Sequence, residues 1–149
     1  QCMGANDIDG AEYYLWKLMR ITTVVSFTWN IVIIVLLPVI LSFYSISEET
    51  YHLIYIIVII HNLACGTYGA FFSPFSAALR AAGDVKFTMF ASIFCTVVFR
   101  TSLSFVLCLG FDMGVIGITL AMISDWALKS IMMMVRYKSG KWKNFQLIG

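Results

Sequence analysis

Arg100 and Asp125, ionisable residues inside otherwise apolar runs, are the side chains best placed to do chemistry. Arg100 falls within residues 87–111, and Asp125 and Lys129 fall within residues 113–135. In hydrocarbon each such charge costs about 3 kcal/mol unless it is paired or hydrated. Measured along ideal helices at about 1.5 Å per residue, Arg100 and Asp125 lie at broadly similar depth, within reach of a long arginine side chain. Such a pair has two readings: an ion relay or substrate-cavity lining, or a structural pair that fixes helix packing. Lys129, one helical turn after Asp125, is an alternative partner for the carboxylate. His61 and Asn62 make a second polar break inside residues 50–79, flanked by Gly66 and Gly69. A histidine there could couple to protons near neutral pH, or could be a packed and hydrogen-bonded core residue. Cys65 and Gly69, four residues apart, are small enough to allow close helix contact.

Other constellations are missing. The sequence has no GxSxG, P-loop, HExxH or glycine-rich dinucleotide fingerprint, so no familiar enzyme class is expected. His52 and His61 have no cysteine, aspartate or histidine at ligand spacing. The cysteines Cys2, Cys65, Cys95 and Cys108 show neither CxxC nor Cys/His metal spacing, and three of them sit in apolar runs as small hydrophobes. No catalytic, cofactor or metal site is expected. A net charge of +2, with the basic residues at run ends and not in one patch, gives no reason to expect nucleic acid.

The elements that must position these residues follow from composition. Hydrophobic residues make up 60% of the 149 and charged residues 12%, against about 45–50% and about 25% in soluble domains. Charges divide the chain into four long apolar stretches, each with the roughly 20 residues needed to cross about 30 Å of hydrocarbon. The runs do not alternate as barrel strands do, so helices are expected at 21–45, 51–79, 87–110 and 113–136. Asp9 with Glu12 has capping-box spacing for a helical lead-in to the first span. Ser47 before Glu48 and Glu49 suits the start of the second. Gly83-Asp84 and Gly110-Phe111-Asp112 both read as a helix stop followed by an N-cap, and Gly140 as the exit of the last helix. Pro74 should bend the second span.

Orientation follows from lysine and arginine. Of ten such residues, all but Arg100 and Lys129 lie at one set of ends: Lys17 and Arg20, Arg80 and Lys86, then Arg136, Lys138, Lys141 and Lys143. The other two turns carry only Glu48, Glu49 and Asp112. Eight against zero predicts that both termini and the 80–86 connection are cytoplasmic in a plasma-membrane protein. The expected organisation is a cytoplasmic loop and lead-in (1–20), four transmembrane helices (21–136) and a basic cytoplasmic tail (137–149). The opening at Gln1, with a polar first segment unlike a signal peptide, suggests an internal or C-terminal piece of a larger chain.

Several motifs resemble those of one family. QCMGAND (residues 1–7), with Gln1, Gly4 and Ala5, resembles the GQxxGA-x-[DN] loop of the MATE (multidrug and toxic compound extrusion) transporters, and Ala11 fits the alanine that follows it. ALRAAGD (residues 78–84), with Leu79, Arg80, Gly83 and Asp84, resembles their A-L-R-x-x-G-D loop and is the most specific of these signals. Gly114 and Gly117 resemble the glycines that open the family's last helix, and Asp125-Trp126 resembles a dipeptide found there. The resemblance implies an all-α membrane protein of twelve helices in two lobes of six. This chain would run from the loop after the eighth helix to the tail after the twelfth, with the remaining eight helices and the lipid bilayer as its partners.

It also implies secondary active efflux of small organic cations or other amphipathic compounds, driven by Na+ or H+ through alternating access. The loop motifs would close helices and pack the cytoplasmic side. Gly69 stands where some family members carry an acidic cation ligand in the tenth helix, so the resemblance implies that the coupling acids lie in the remaining helices or that coupling uses another group. The alternatives are a lipid-linked polysaccharide flippase of the same superfamily, a membrane assembly protein, or an intramembrane enzyme. A flippase should place further basic residues on a central cavity, and an enzyme should converge several polar groups at one depth.

Overall fold

In the computed structural model, residues 2–5 and 7–144 are described; Gln1 of the first loop motif and the end of the basic tail lie outside them. The described residues form four long helices and no strand: α1 (Ile8–Ser42), α2 (Glu48–Ala81), α3 (Val85–Gly110) and α4 (Gly114–Lys138). A short 3-10 turn, Lys141–Asn144, follows. Each long helix is apolar and long enough to cross a membrane, and this is the all-α multi-span class expected from composition.

The helix ends partly follow the expected caps. Ser47 caps α2, its hydroxyl accepting from the Thr50 amide. The cap of α1 is Asp7 and not Asp9: the Asp7 carboxylate accepts from the Gly10 amide at 2.9 Å. Glu12 does not close a box with Asp9. It reaches across to Lys143 instead. From Asp7 onward no break separates lead-in from span, and α1 is a single helix of 35 residues, about 52 Å long.

Gly83 ends α2 in the left-handed region at φ 96°. At the next turn the expected cap fails: Asp112 itself takes φ 52°, Gly114 takes φ 52°, and Met113 occupies the cap position. Asp112 in that conformation turns the chain, and the Met113 amide closes the end of α3 by donating to the Leu107 carbonyl. Gly140, at φ 68°, stands at the exit of α4.

Two helices leave α geometry within their length. In α2 a π turn spans Cys65–Gly69, with the Ala70 amide reaching back to the Cys65 carbonyl. It lies one turn before Pro74, which has no amide to donate. In α3 the π segments Phe94–Arg100 and Val106–Gly110 flank a short α stretch.

The helices pack in the order α1, α2, α4, α3. Thus α4 is wedged between α2 and α3, which meet chiefly beside their shared turn. The apolar core lies at the basic end and combines Leu15 and Met19 of α1, Phe75 and Leu79 of α2, Ala91 of α3 and Met133 of α4. Away from it, large apolar side chains such as Trp29 (65% exposed) and Leu109 (76%) face outward. In water that surface would be unstable; against lipid it is ordinary.

Candidate functional site

The deepest polar group is on α4. Asp125 is fully buried and Lys129 nearly so, and one turn of helix brings them together, Lys129 Nζ donating to Asp125 Oδ2 at 2.8 Å. The same ammonium donates to Thr96 Oγ1 of α3 at 2.6 Å and lies 5.8 Å from the ring centre of Phe72 on α2. A single lysine therefore touches three helices. Asp125 Oδ1, equally buried, has no hydrogen-bond partner among the described residues. Next to the pair, buried Cys95 directs its thiol to Met132 Sδ at 3.5 Å.

Ser130 adds a second link from α4. Its hydroxyl lies 2.9 Å from the Tyr68 carbonyl in the π turn of α2 and 2.8 Å from the Trp126 carbonyl in its own helix. A carbonyl within a π turn is freed from the regular ladder, and this hydroxyl supplies a donor.

The expected Arg100–Asp125 pair does not form. Between Thr96 and Arg100 the helix is π and not the ideal α form, and the carboxylate is taken by a residue of its own helix. Thr96, not Arg100, is presented to the ion pair, and Lys129 takes Asp125 Oδ2 from one turn away. Arg100 instead lines an open pocket of about 490 Å³ on the face of α3, together with Thr96, Ser104, Cys108 and, from α4, Ile118.

His61 packs edge-on against Trp126, ring centres 5.2 Å apart. Asn62 is buried and donates to the Val58 carbonyl of its own helix. Both belong to the packing of α2, Asn62 through a local bond and His61 against α4. The expected small-residue contact also shifts. A Cβ on Gly69 would meet only Cys65 of the same helix, whereas one on Gly66 would meet Asn30 and Phe27 of α1. The tightest crossing is at Gly117, where a Cβ would stand 3.0 Å from Leu107 Cβ and 3.1 Å from the Leu107 carbonyl carbon.

The loop motifs occupy the basic end. Gly4 and Ala5 lie exposed in a turn before α1. Leu79 is a core residue at 1% exposure, and Arg80 donates through Nε to the Ser76 carbonyl. Asp84 sits at the start of α3 but makes no side-chain cap bond. Its carboxylate is committed to Arg136 at the far end of α4, with Nε to Oδ2 at 2.6 Å and Nη2 to Oδ1 at 3.2 Å. The Arg136 guanidinium also lies over the Phe87 ring at 4.7 Å. Sequence reasoning missed this fork. Its one signal was an arginine in the last turn of α4 and an aspartate in a loop on the same predicted side.

Beyond α4 the chain folds back. Trp142 stacks on Tyr137 and donates to its carbonyl. Lys143 meets Glu12 of α1 at 2.5 Å, and that hydrogen bond holds the ammonium above the usual lysine range.

The Asp125–Lys129 group is a hydrogen-bonded ion pair that braces α4 against α3. Among the described residues no three His, Cys, Asp or Glu side chains could together hold a metal ion. No solved structure matches the chain. The family model for MatE matches residues 1–106, from the first loop through most of α3 and including the whole ALRAAGD segment. Over two-thirds of the chain is covered by that match, and the chain belongs to the MatE family of multi-helix membrane transporters.

Proposed function

We propose that this chain is part of a secondary active exporter of amphipathic compounds, organic cations among them, driven by Na+ or H+. The observation that carries the reading is the MatE match over residues 1–106. In this reading the four helices close the second lobe of a twelve-helix transporter in the plasma membrane. The basic ends face the cytoplasm, as the eight-to-zero distribution of lysine and arginine favours. The Asp125–Lys129–Thr96 bridge and the Asp84–Arg136 fork keep α3 and α4 moving together while the lobe rocks. The coupling acids belong to the other helices, because α2 carries no acidic residue beyond Glu48 and Glu49 at its start, and Asp125, the buried carboxylate of α4, is already paired with Lys129.

The test is export by the complete transporter in cells stripped of other efflux systems. Accumulation of a lipophilic cationic dye should fall on expression and recover when the Na+ or proton gradient is collapsed. Dye accumulation that ignores both gradients would sink the reading. A second reading, flipping of a lipid-linked saccharide, is favoured by Arg100 on its cavity. It predicts gradient-dependent appearance of that lipid in the opposite leaflet with no effect on the dye.

A further inference from the structure

We infer that the cavity around Arg100 is a binding site for the acidic head of an amphipathic anion, a phosphate or carboxylate carried on an apolar body. All eight acidic residues of the chain have definite places. Asp125, Asp84 and Glu12 are paired with Lys129, Arg136 and Lys143. Asp7 caps α1 and Asp9 lies in its first turn. Glu48 and Glu49 open α2, and Asp112 shapes the turn before α4. Among the described residues, no carboxylate is paired with Arg100.

Its depth makes that isolation chemically informative. Arg100 lies ten residues before Gly110, about 15 Å into a hydrocarbon layer of about 30 Å. A guanidinium at that depth is costly until it meets an anion or water. Nor does Lys129 add a free charge, because its own ammonium is matched by Asp125.

The surroundings fit an acid joined to a tail. Thr96, Arg100, Ser104 and Cys108 recur every fourth residue along α3 and all line the cavity, giving a stripe of donors on one face. Phe105, Leu109 and Ile118 supply apolar wall. A planar guanidinium with a hydroxyl one turn away suits a two-oxygen anion, and the walls suit an alkyl or aryl body. A simple hydrated anion gains nothing from such walls, and a lipophilic cation meets the wrong charge.

The inference goes beyond the transport reading, because it concerns binding and is measured without transport. The experiment uses the complete transporter purified in neutral detergent, with dodecyl phosphate as the probe and dodecyltrimethylammonium as the opposite-charge control. Dodecyl phosphate should bind the wild type at least tenfold more tightly than Arg100→Gln, with the control indifferent to the substitution. Should Arg100→Gln fail to accumulate, Arg100→Lys and Ser104→Ala take its place. Arg100→Lys, which keeps the charge but loses the fork, and Ser104→Ala, which loses one hydroxyl, should each weaken binding about threefold.

Two competition arms separate the sources of the ligand: displacement by phosphatidylglycerol nanodiscs marks a lipid, and displacement by benzyl phosphate marks a free organic anion. Equal dodecyl phosphate affinity in the wild type and in the variants would overturn the inference. So would recovery of a failed Arg100→Gln protein by neutralising an acid on another helix, since Arg100 would then have its anion within the protein.

Discussion

Asp125 and Lys129 are a pair whose value depends on both being present. Removing one partner of a buried ion pair leaves the other charged and unmatched, at about 3–5 kcal/mol, whereas replacing both with apolar or neutral groups is often close to neutral. Lys129→Met should therefore lower the melting temperature of the purified transporter sharply, and adding Asp125→Asn should restore most of it. A double variant as unstable as the single would show that Lys129 acts chiefly through Thr96 and Phe72. Gly117 makes a sterically different demand. A methyl group there meets backbone as well as the Leu107 side chain, so Gly117→Ala should cost about 1–3 kcal/mol by forcing α3 and α4 apart. At Gly114 nothing lies within 4 Å of an added Cβ. Alanine there should cost only its left-handed backbone strain, about 1–2 kcal/mol, and thermal melts of the two variants would separate crowding from strain.

At the level of helices, the fork between Asp84 and Arg136 ties the turn between α2 and α3 to the last turns of α4. Asp84→Asn should loosen that end without shortening any helix, read as faster amide exchange around residues 80–90. Exchanging the two residues, Asp84→Arg with Arg136→Asp, should recover part of the protection. Helix identity and approximate length were legible in the sequence because about 30 Å of hydrocarbon enforces long apolar runs between charges, and Ser47 was recognisable as a cap because its partner is three residues away. What was hidden has a common cause. Whether Arg100 or Lys129 meets Asp125 depends on side-chain placement across two helices, and the π segment Phe94–Arg100 has no local signature in its residues. Asp84 looked like a cap because the rival claim on its carboxylate comes from a residue 52 positions later. Asp7 and Asp9 are both plausible caps in type, and only the backbone at Gly10 decides between them.

Across the whole molecule, the basic end carries the apolar core, the Asp84–Arg136 fork and the returned chain after α4, while the opposite ends of the helices are more open. The Lys143–Glu12 contact belongs to this scale, since it joins the last described turn to α1. Glu12 raises the lysine's pKa in the folded state. The contribution is accordingly complete at neutral pH, below the ordinary lysine value of 10.5, and is lost as pH climbs through the raised folded value. Because Lys143 is exposed, added salt should weaken the contact well before pH does. A fluorophore pair on the first turn of α1 and on residue 141, which leaves Lys143 and Glu12 in place, should report separation at high ionic strength and in strong alkali, but none between pH 6 and 8.

The wedged position of α4 has a consequence for how the protein is made. A ribosome delivers helices in chain order, so α1, α2 and α3 leave the translation machinery before the element that separates α2 from α3 exists. Until α4 is released, Thr96 has no lysine, the Tyr68 carbonyl no serine, and Asp84 no arginine. The three earlier helices can insert, but must wait, loosely associated, for the fourth to enter between them. A nascent chain stopped after Asp112 should consequently be inserted yet short-lived, a substrate for membrane quality control. Supplying residues 113–149 as a separate polypeptide should lengthen its lifetime in a pulse-chase experiment.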